Sequence, residues 1–184
     1  MKSANTWFSL PSRALHWLMA PLLLAMLLIG VGMISTLSSM RPLLVDLHKP
    51  LGLLLLVLAV LRLLLRLTTG KAPALPSSMP AWQRHAASLS HWLLYGAMLA
   101  MPLLGWAMLS AGGYPLPGFS GAHLPPLVAQ NVTLYANLRL AHGIVGEVFF
   151  ALIVMHIAAG LLHALVLKDG VFASIALRFR SVGR

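Results

Sequence analysis

The chain has 184 residues, 59% of them apolar and only 9% charged, and its 13 Lys and Arg against 3 Asp and Glu leave a formal net charge of +10. A soluble domain carries about a quarter charged residues, so this chain has too few to cover a water-facing surface and reads as lying in a bilayer. It has no cysteine, which excludes disulfides, thiolate catalysis, Cys-ligated zinc and iron–sulfur clusters and leaves histidine to carry any metal chemistry.

Four apolar stretches are long enough to cross a hydrocarbon core, which takes about 20 helical residues. The first, about 14–34, follows Lys2 and Arg13 and precedes the small residues Ser35 to Ser39, as a secretory signal would. Its apolar run of about 20 residues exceeds the 7–15 of a signal core, so it reads as a helix. A short connection, Ser35–Asp46, leads to a second stretch at about 47–67. The linker Thr68–Gln83 carries Pro73, Pro76 and Pro80 and leads to a third stretch at about 89–109. A long segment, Ser110–Arg139, is rich in Gly and Pro and precedes the fourth stretch at about 140–167. No internal repeat or second domain is visible, so the prediction is one all-α transmembrane domain over 1–184, an integral membrane four-helix bundle.

Four spans put both termini on one side. That side holds Lys2, Arg13, Arg62, Arg66, Lys71, Arg84, Lys168, Arg178, Arg180 and Arg184, and the opposite side holds only Arg41, Lys49 and Arg139. By the positive-inside rule both termini are cytoplasmic. The cations sit between apolar stretches and not along an amphipathic face, which argues against nucleic acid as a partner.

Eight histidines in so apolar a chain are unusual, because ionisable groups within a membrane are costly and tend to mark function. His85 and His123 sit at span ends and read as interfacial residues. His142 and His156 are fourteen residues apart on one helix, which is about 40° short of four full turns and a rise of about 21 Å. They share a face at two depths. His48 opens the second span on the outer side, at the depth of His142, and His16 lies near the inner start of the first, at the depth of His156. Two transverse pairs result, His48 with His142 and His16 with His156.

Zinc prefers four tetrahedral ligands, and each level offers two histidines with no carboxylate or thiolate beside them. Haem needs only two axial ligands, because the porphyrin supplies four nitrogens. Gly52, Gly146 and Gly160 each follow a paired histidine by four residues, and Ala20 follows His16. One turn along the same face, a small residue leaves room for a flat macrocycle, although glycine also serves close helix packing in membranes. Two bis-His haems are therefore expected.

The chain here resembles the prokaryotic cytochrome b561 family of dihaem four-helix membrane proteins. The resemblance rests on Leu15-His16-Trp17-Leu18, on Leu47-His48, on Arg62-Leu63-Leu64-Leu65-Arg66-Leu67, and on the Pro-rich linker. It also rests on His91 leading into Leu94-Tyr95 and on the His142, His156 and His163 series. The segment Ser110–Arg139 departs from it. The resemblance implies two haem b groups, with His16 and His156 as axial ligands on the cytoplasmic side and His48 and His142 on the periplasmic side. It further implies a multi-pass protein of the bacterial inner membrane that oxidises superoxide at the periplasmic face and passes electrons to ubiquinone.

Buried bis-His iron has no open position for O₂ or peroxide, so electrons enter and leave at haem edges. Lys49, Arg41 and Arg139 would attract a small anion such as superoxide, or equally anchor the helices at the interface. On the inner side Arg13, Arg62 and Arg66 could pair with haem propionates or snorkel to headgroups. His163, about 10 Å beyond His156, is placed to hydrogen-bond a quinone and supply a proton, with His91 as an assistant. Glu147, the only acid well inside a span, is expected to be buried and to hydrogen-bond a neighbouring helix. Two other functions remain. One is an electron-transfer subunit serving a separate redox protein, and the other is a proton or cation path, which would give a colourless protein.

Overall fold

The computed structural model describes residues 7–35, 39–68, 73–76, 78–116, 118 and 123–177. Lys2, Lys71, Arg178, Arg180 and Arg184, five of the cations behind the predicted orientation, lie outside the described residues. So do residues 36–38 and 117 of the connecting segments.

Four helices dominate: α1 (Leu10–Ser35), α2 (Met40–Thr68), α3 (Ala81–Ala111) and α4 (Val132–Leu161). Helix α4 continues as a π-helical segment, Leu162–Leu167, and a short α5 (Val171–Ile175) follows. Among the described residues there is no strand. Each of the four long helices, α4 with its π-helical continuation, is long and apolar enough to span a membrane.

Every helix outruns its apolar stretch. Hydropathy marks the part that lies in hydrocarbon, whereas the backbone keeps its hydrogen bonds out into the headgroup layer, where charges are tolerated. Met40–Asp46 accordingly belongs to α2 and 132–139 to α4, so Arg41 and Arg139 sit on helices and not in loops. The starts are chemically marked. Ser9 accepts from the Ser12 N–H ahead of Pro11 in the first turn of α1, and Asn131 caps α4 by accepting from the Leu134 N–H at 2.9 Å, both common N-terminal devices. Pro21, Pro50 and Pro102 lie inside α1, α2 and α3, as transmembrane helices allow.

Each long helix buries one i, i+4 pair: Leu15 and Met19, Leu55 and Ala59, Leu94 and Met98, Phe149 and Ile153. That spacing is a single stripe on an α-helix, and seven of the eight, all but Leu55, form one core cluster. The other faces expose leucine, valine and isoleucine, including Leu28, Val31, Leu64, Val154 and Leu165, the expected exterior for a lipid solvent. The closest backbone packing is α1 on α2, α2 on α3 and α3 on α4. α4 makes its ring contacts with α1 and α2 through histidines.

Candidate functional site

The fold brings the predicted histidines together in two levels. His16 on α1 faces His156 on α4 with ring centroids 6.3 Å apart, the planes tilted by 49°. His48 on α2 faces His142 on α4 at 6.1 Å and 69°. Along α4 the core residues Phe149 and Ile153 lie between the two levels. Two imidazoles that each bind one metal at about 2 Å have centroids about 6 Å apart, so both pairs have the span of a shared iron. Nδ1 of His16, His48 and His142 is buried with no hydrogen-bond partner, and such an orphan costs about 1–3 kcal/mol. No group of three or more His, Asp or Glu suited to a bare metal ion occurs among the described residues. A facing pair of imidazoles at each level, without a cluster suited to a bare metal ion, fits a group that brings its own four equatorial nitrogens.

His91 of α3 joins the inner level. Its ring lies 5.5 Å from that of His156 at 79°, and its Nδ1 donates to the Ala87 carbonyl at 2.7 Å. It thus stands beside His156 at this level. The arginines of this end converge too. Arg13 donates to the Ala176 carbonyl at 3.0 Å and stacks on Trp7. Arg62 donates to the Ser12 carbonyl at 3.3 Å and lies over Tyr95, and Arg66 lies over Phe8. A guanidinium has five donors in a planar fork, so each retains N–H groups for a propionate.

At the opposite end Arg41 and Arg139 are exposed and Lys49 is half-buried. Arg139 lines a shallow recess on the outer face of α4 with Tyr135, Ala136, Gly143, Ile144 and Glu147. Glu147 is exposed there, which overturns its expected burial and hydrogen bond to a neighbouring helix. Five residues past His142, it lies on the flank of α4 that faces away from the ring pairs. His85 and His123 are exposed, in keeping with an interfacial role.

The glycines that follow the paired histidines each have a side chain from another helix as a neighbour. A Cβ on Gly52 would meet Met26 at 3.6 Å, one on Gly146 would meet Met101 at 3.4 Å, and one on Gly160 would meet Phe172 at 3.9 Å. The glycine that abuts a paired imidazole is Gly105 on α3, where a Cβ would lie 3.3 Å from Cε1 of His142. Sequence spacing could not find it, because it lies on a different helix.

Two further residues escape a reading by spacing. Asp169, just beyond the fourth apolar stretch, pairs with His163 at 2.7 Å. Trp17 donates its indole N–H to the Ile175 carbonyl at 2.9 Å, tying the two ends of the described chain together. The residues ahead of α4 are likewise tied to α3: Trp106 donates to the Pro125 carbonyl, and Ser110 Oγ accepts from the Leu127 N–H.

Residues 7–176 match the family model described as prokaryotic cytochrome b561. Similar proteins include cytochrome b561 homolog 1 of Escherichia coli (strain K12), 33% identical over 132 residues, which are 72% of this chain and 74% of that one. The probable superoxide oxidase CybB of Yersinia pestis is 30% identical over 131 residues, 71% of this chain and 73% of its own. Cytochrome b561 homolog 2 of Escherichia coli (strain K12) is 30% identical over 164 residues, 86% and 85%.

Proposed function

From the premise that the chain belongs to the prokaryotic cytochrome b561 family, and is thus a multi-pass electron-transfer protein of the bacterial inner membrane with haem b, we propose that it is a superoxide:ubiquinone oxidoreductase. It oxidises superoxide at the periplasmic face and reduces ubiquinone at the inner leaflet through two haems. The observation that carries this is the pair of imidazole couples at 6.3 and 6.1 Å on opposite halves of α4. Similarity to a protein named as a probable superoxide oxidase supports the choice of donor.

When bound, a bis-His haem supplies a one-electron carrier with no open coordination position. The chain's own residues do the rest. His16 with His156, and His48 with His142, hold one group each. Arg13, Arg62 and Arg66 neutralise propionates at the end where α1 begins, the cytoplasmic end by the positive-inside rule. Lys49, Arg41 and Arg139 give the other end a positive field, opposed locally by Asp46, and such a field raises the encounter rate with an anion. His163 meets the quinone. Two superoxide ions become two O₂ and release two electrons, and with two protons these convert one quinone to one quinol.

Two measurements test this reading. Reduced-minus-oxidised visible spectra with haem quantification should give two haems per chain, and His48→Ala and His156→Ala should each remove one. In a superoxide-generating system the purified protein should reduce a short-chain ubiquinone without any protein donor. Haems that stay oxidised until a redox protein is added would make the chain an electron-transfer subunit instead.

A further inference from the structure

At the end of α4 the hydrogen bonding widens from α to π over Leu162–Leu167, a change often found at functional positions, and the His163 carbonyl accepts from the Lys168 N–H at 2.9 Å. The chain then turns sharply, with Lys168 at φ 50° and Gly170 at φ 83°. Inside this turn His163 Nδ1 lies 2.7 Å from Asp169 Oδ2, and the two side chains are only 11% and 19% exposed. The second carboxylate oxygen is also used, since Asp169 Oδ1 accepts from the Val171 N–H at 3.1 Å.

The carboxylate is held from several directions. α5, whose first N–H it accepts, is fastened to the start of α1 by three bonds. Phe8 N–H donates to the Ser174 carbonyl, Trp17 Nε1 to the Ile175 carbonyl and Arg13 to the Ala176 carbonyl. Phe172 lies edge-on to Trp17 and borders Gly160. Asp169 is one of only three acids in the chain. At the end where Arg13, Arg62, Arg66 and Lys168 collect, an acid with a purely structural task would be expected to pair with a guanidinium. It pairs with a histidine.

An ionised carboxylate only accepts, so the hydrogen between the two residues belongs to His163 Nδ1. The free nitrogen is then Nε2. We propose that Asp169 is a positioning residue for His163: it holds the ring with hydrogen on Nδ1, presents Nε2 to the quinone, and balances the charge of the ring while Nε2 carries a proton for delivery. This rests on the placement of the quinone at His163. In the delivery step the Nε2–H bond breaks and an O–H bond forms on the quinone. The two electrons come from superoxide, the second proton comes from water at the inner surface, and the ring returns to neutrality with its Nδ1 hydrogen still donated to Asp169.

Asp169→Asn separates this role from folding. The amide has one accepting oxygen, which the Val171 N–H claims, so the NH₂ group turns to His163 Nδ1 and forces the hydrogen onto Nε2. The turn keeps its backbone bond, but the imidazole is held in the wrong tautomer, a change that disables paired imidazoles in other enzymes. The test uses the full-length dihaem protein with ¹⁵N-labelled histidine, chemically reduced so that the irons are diamagnetic, with His163→Gln to assign the signals. The expected spectrum shows His163 protonated at Nδ1 in the wild type and in Asp169→Glu, and at Nε2 in Asp169→Asn.

In parallel, pre-reduced protein is mixed with a short-chain ubiquinone and haem reoxidation is followed. Asp169→Asn should lower the limiting rate about 10- to 100-fold, the cost of losing the orienting carboxylate behind a metal-bound imidazole. The half-saturating quinone concentration and the haem content should change little, and Asp169→Glu should restore most of the rate. A wild-type rate and tautomer in Asp169→Asn, with His163→Gln slow, would overturn the positioning role alone. A wild-type rate in His163→Gln would overturn the quinone placement and the positioning role with it.

Discussion

The rings of His91 and His156 meet edge to face at 5.5 Å and 79°, closer than His16 and His156 across the inner level at 6.3 Å. The His91–His156 separation is shorter than two imidazoles on one iron require. His91 also has its Nδ1 engaged by the Ala87 carbonyl, which orients its ring against the proposed ligand. Replacing His91 by Ala should therefore leave two haems per chain and shift the band of one, whereas His16→Ala should leave a single haem. Pyridine haemochrome quantification of the two variants distinguishes the roles, and loss of a haem from His91→Ala would transfer the ligand assignment to it.

The contact between Gly105 and His142 gives a sharper test of the other level. A Cβ at 105 already crowds Cε1 of His142 at 3.3 Å, so Gly105→Leu should push the ring from its place opposite His48 and cost the protein about one haem in two. Gly146→Ala meets only the flexible end of Met101 at 3.4 Å, and methionine adapts readily, so that variant should keep both.

The strap between the two ends of the described chain should contribute measurably to stability. Trp17→Phe retains most of the ring against Phe172 and loses only the bond to the Ile175 carbonyl. A net hydrogen bond contributes about 1 kcal/mol, so the folded state should be destabilised by that amount. Hydrogen exchange over Val171–Ile175 should quicken while the midpoints of α2 and α3 stay protected.

Glu147 offers a prediction of the opposite sign. It is exposed on the outer flank of α4, where a charged carboxyl facing hydrocarbon would cost about 2.5–3.5 kcal/mol. Glu147→Leu should raise or preserve the thermal midpoint, with haem content and quinone reduction within about twofold of the wild type. A collapse of either would show that this flank meets a partner.

Membrane residence, four spans and the division of histidines into two levels are legible from residue order, because hydropathy and helical periodicity are local properties of the chain. Helix ends are less so. α2 begins at Met40 and α4 at Val132, well before their apolar stretches, since a helix does not stop where the oil does. Asp169 is not legible for the same reason, as it lies beyond the fourth apolar stretch and no spacing rule links it to His163.

By itself the sequence determined which histidines share a depth, because topology and a rise of about 1.5 Å per residue allow few alternatives. The tertiary structure decided what stands beside each of them: His91 against His156, Gly105 under His142 and Asp169 behind His163. Such neighbours depend on the rotation of one helix about its axis relative to another and on a π-helical turn. Both are settled by packing between segments distant in sequence, which no local pattern encodes.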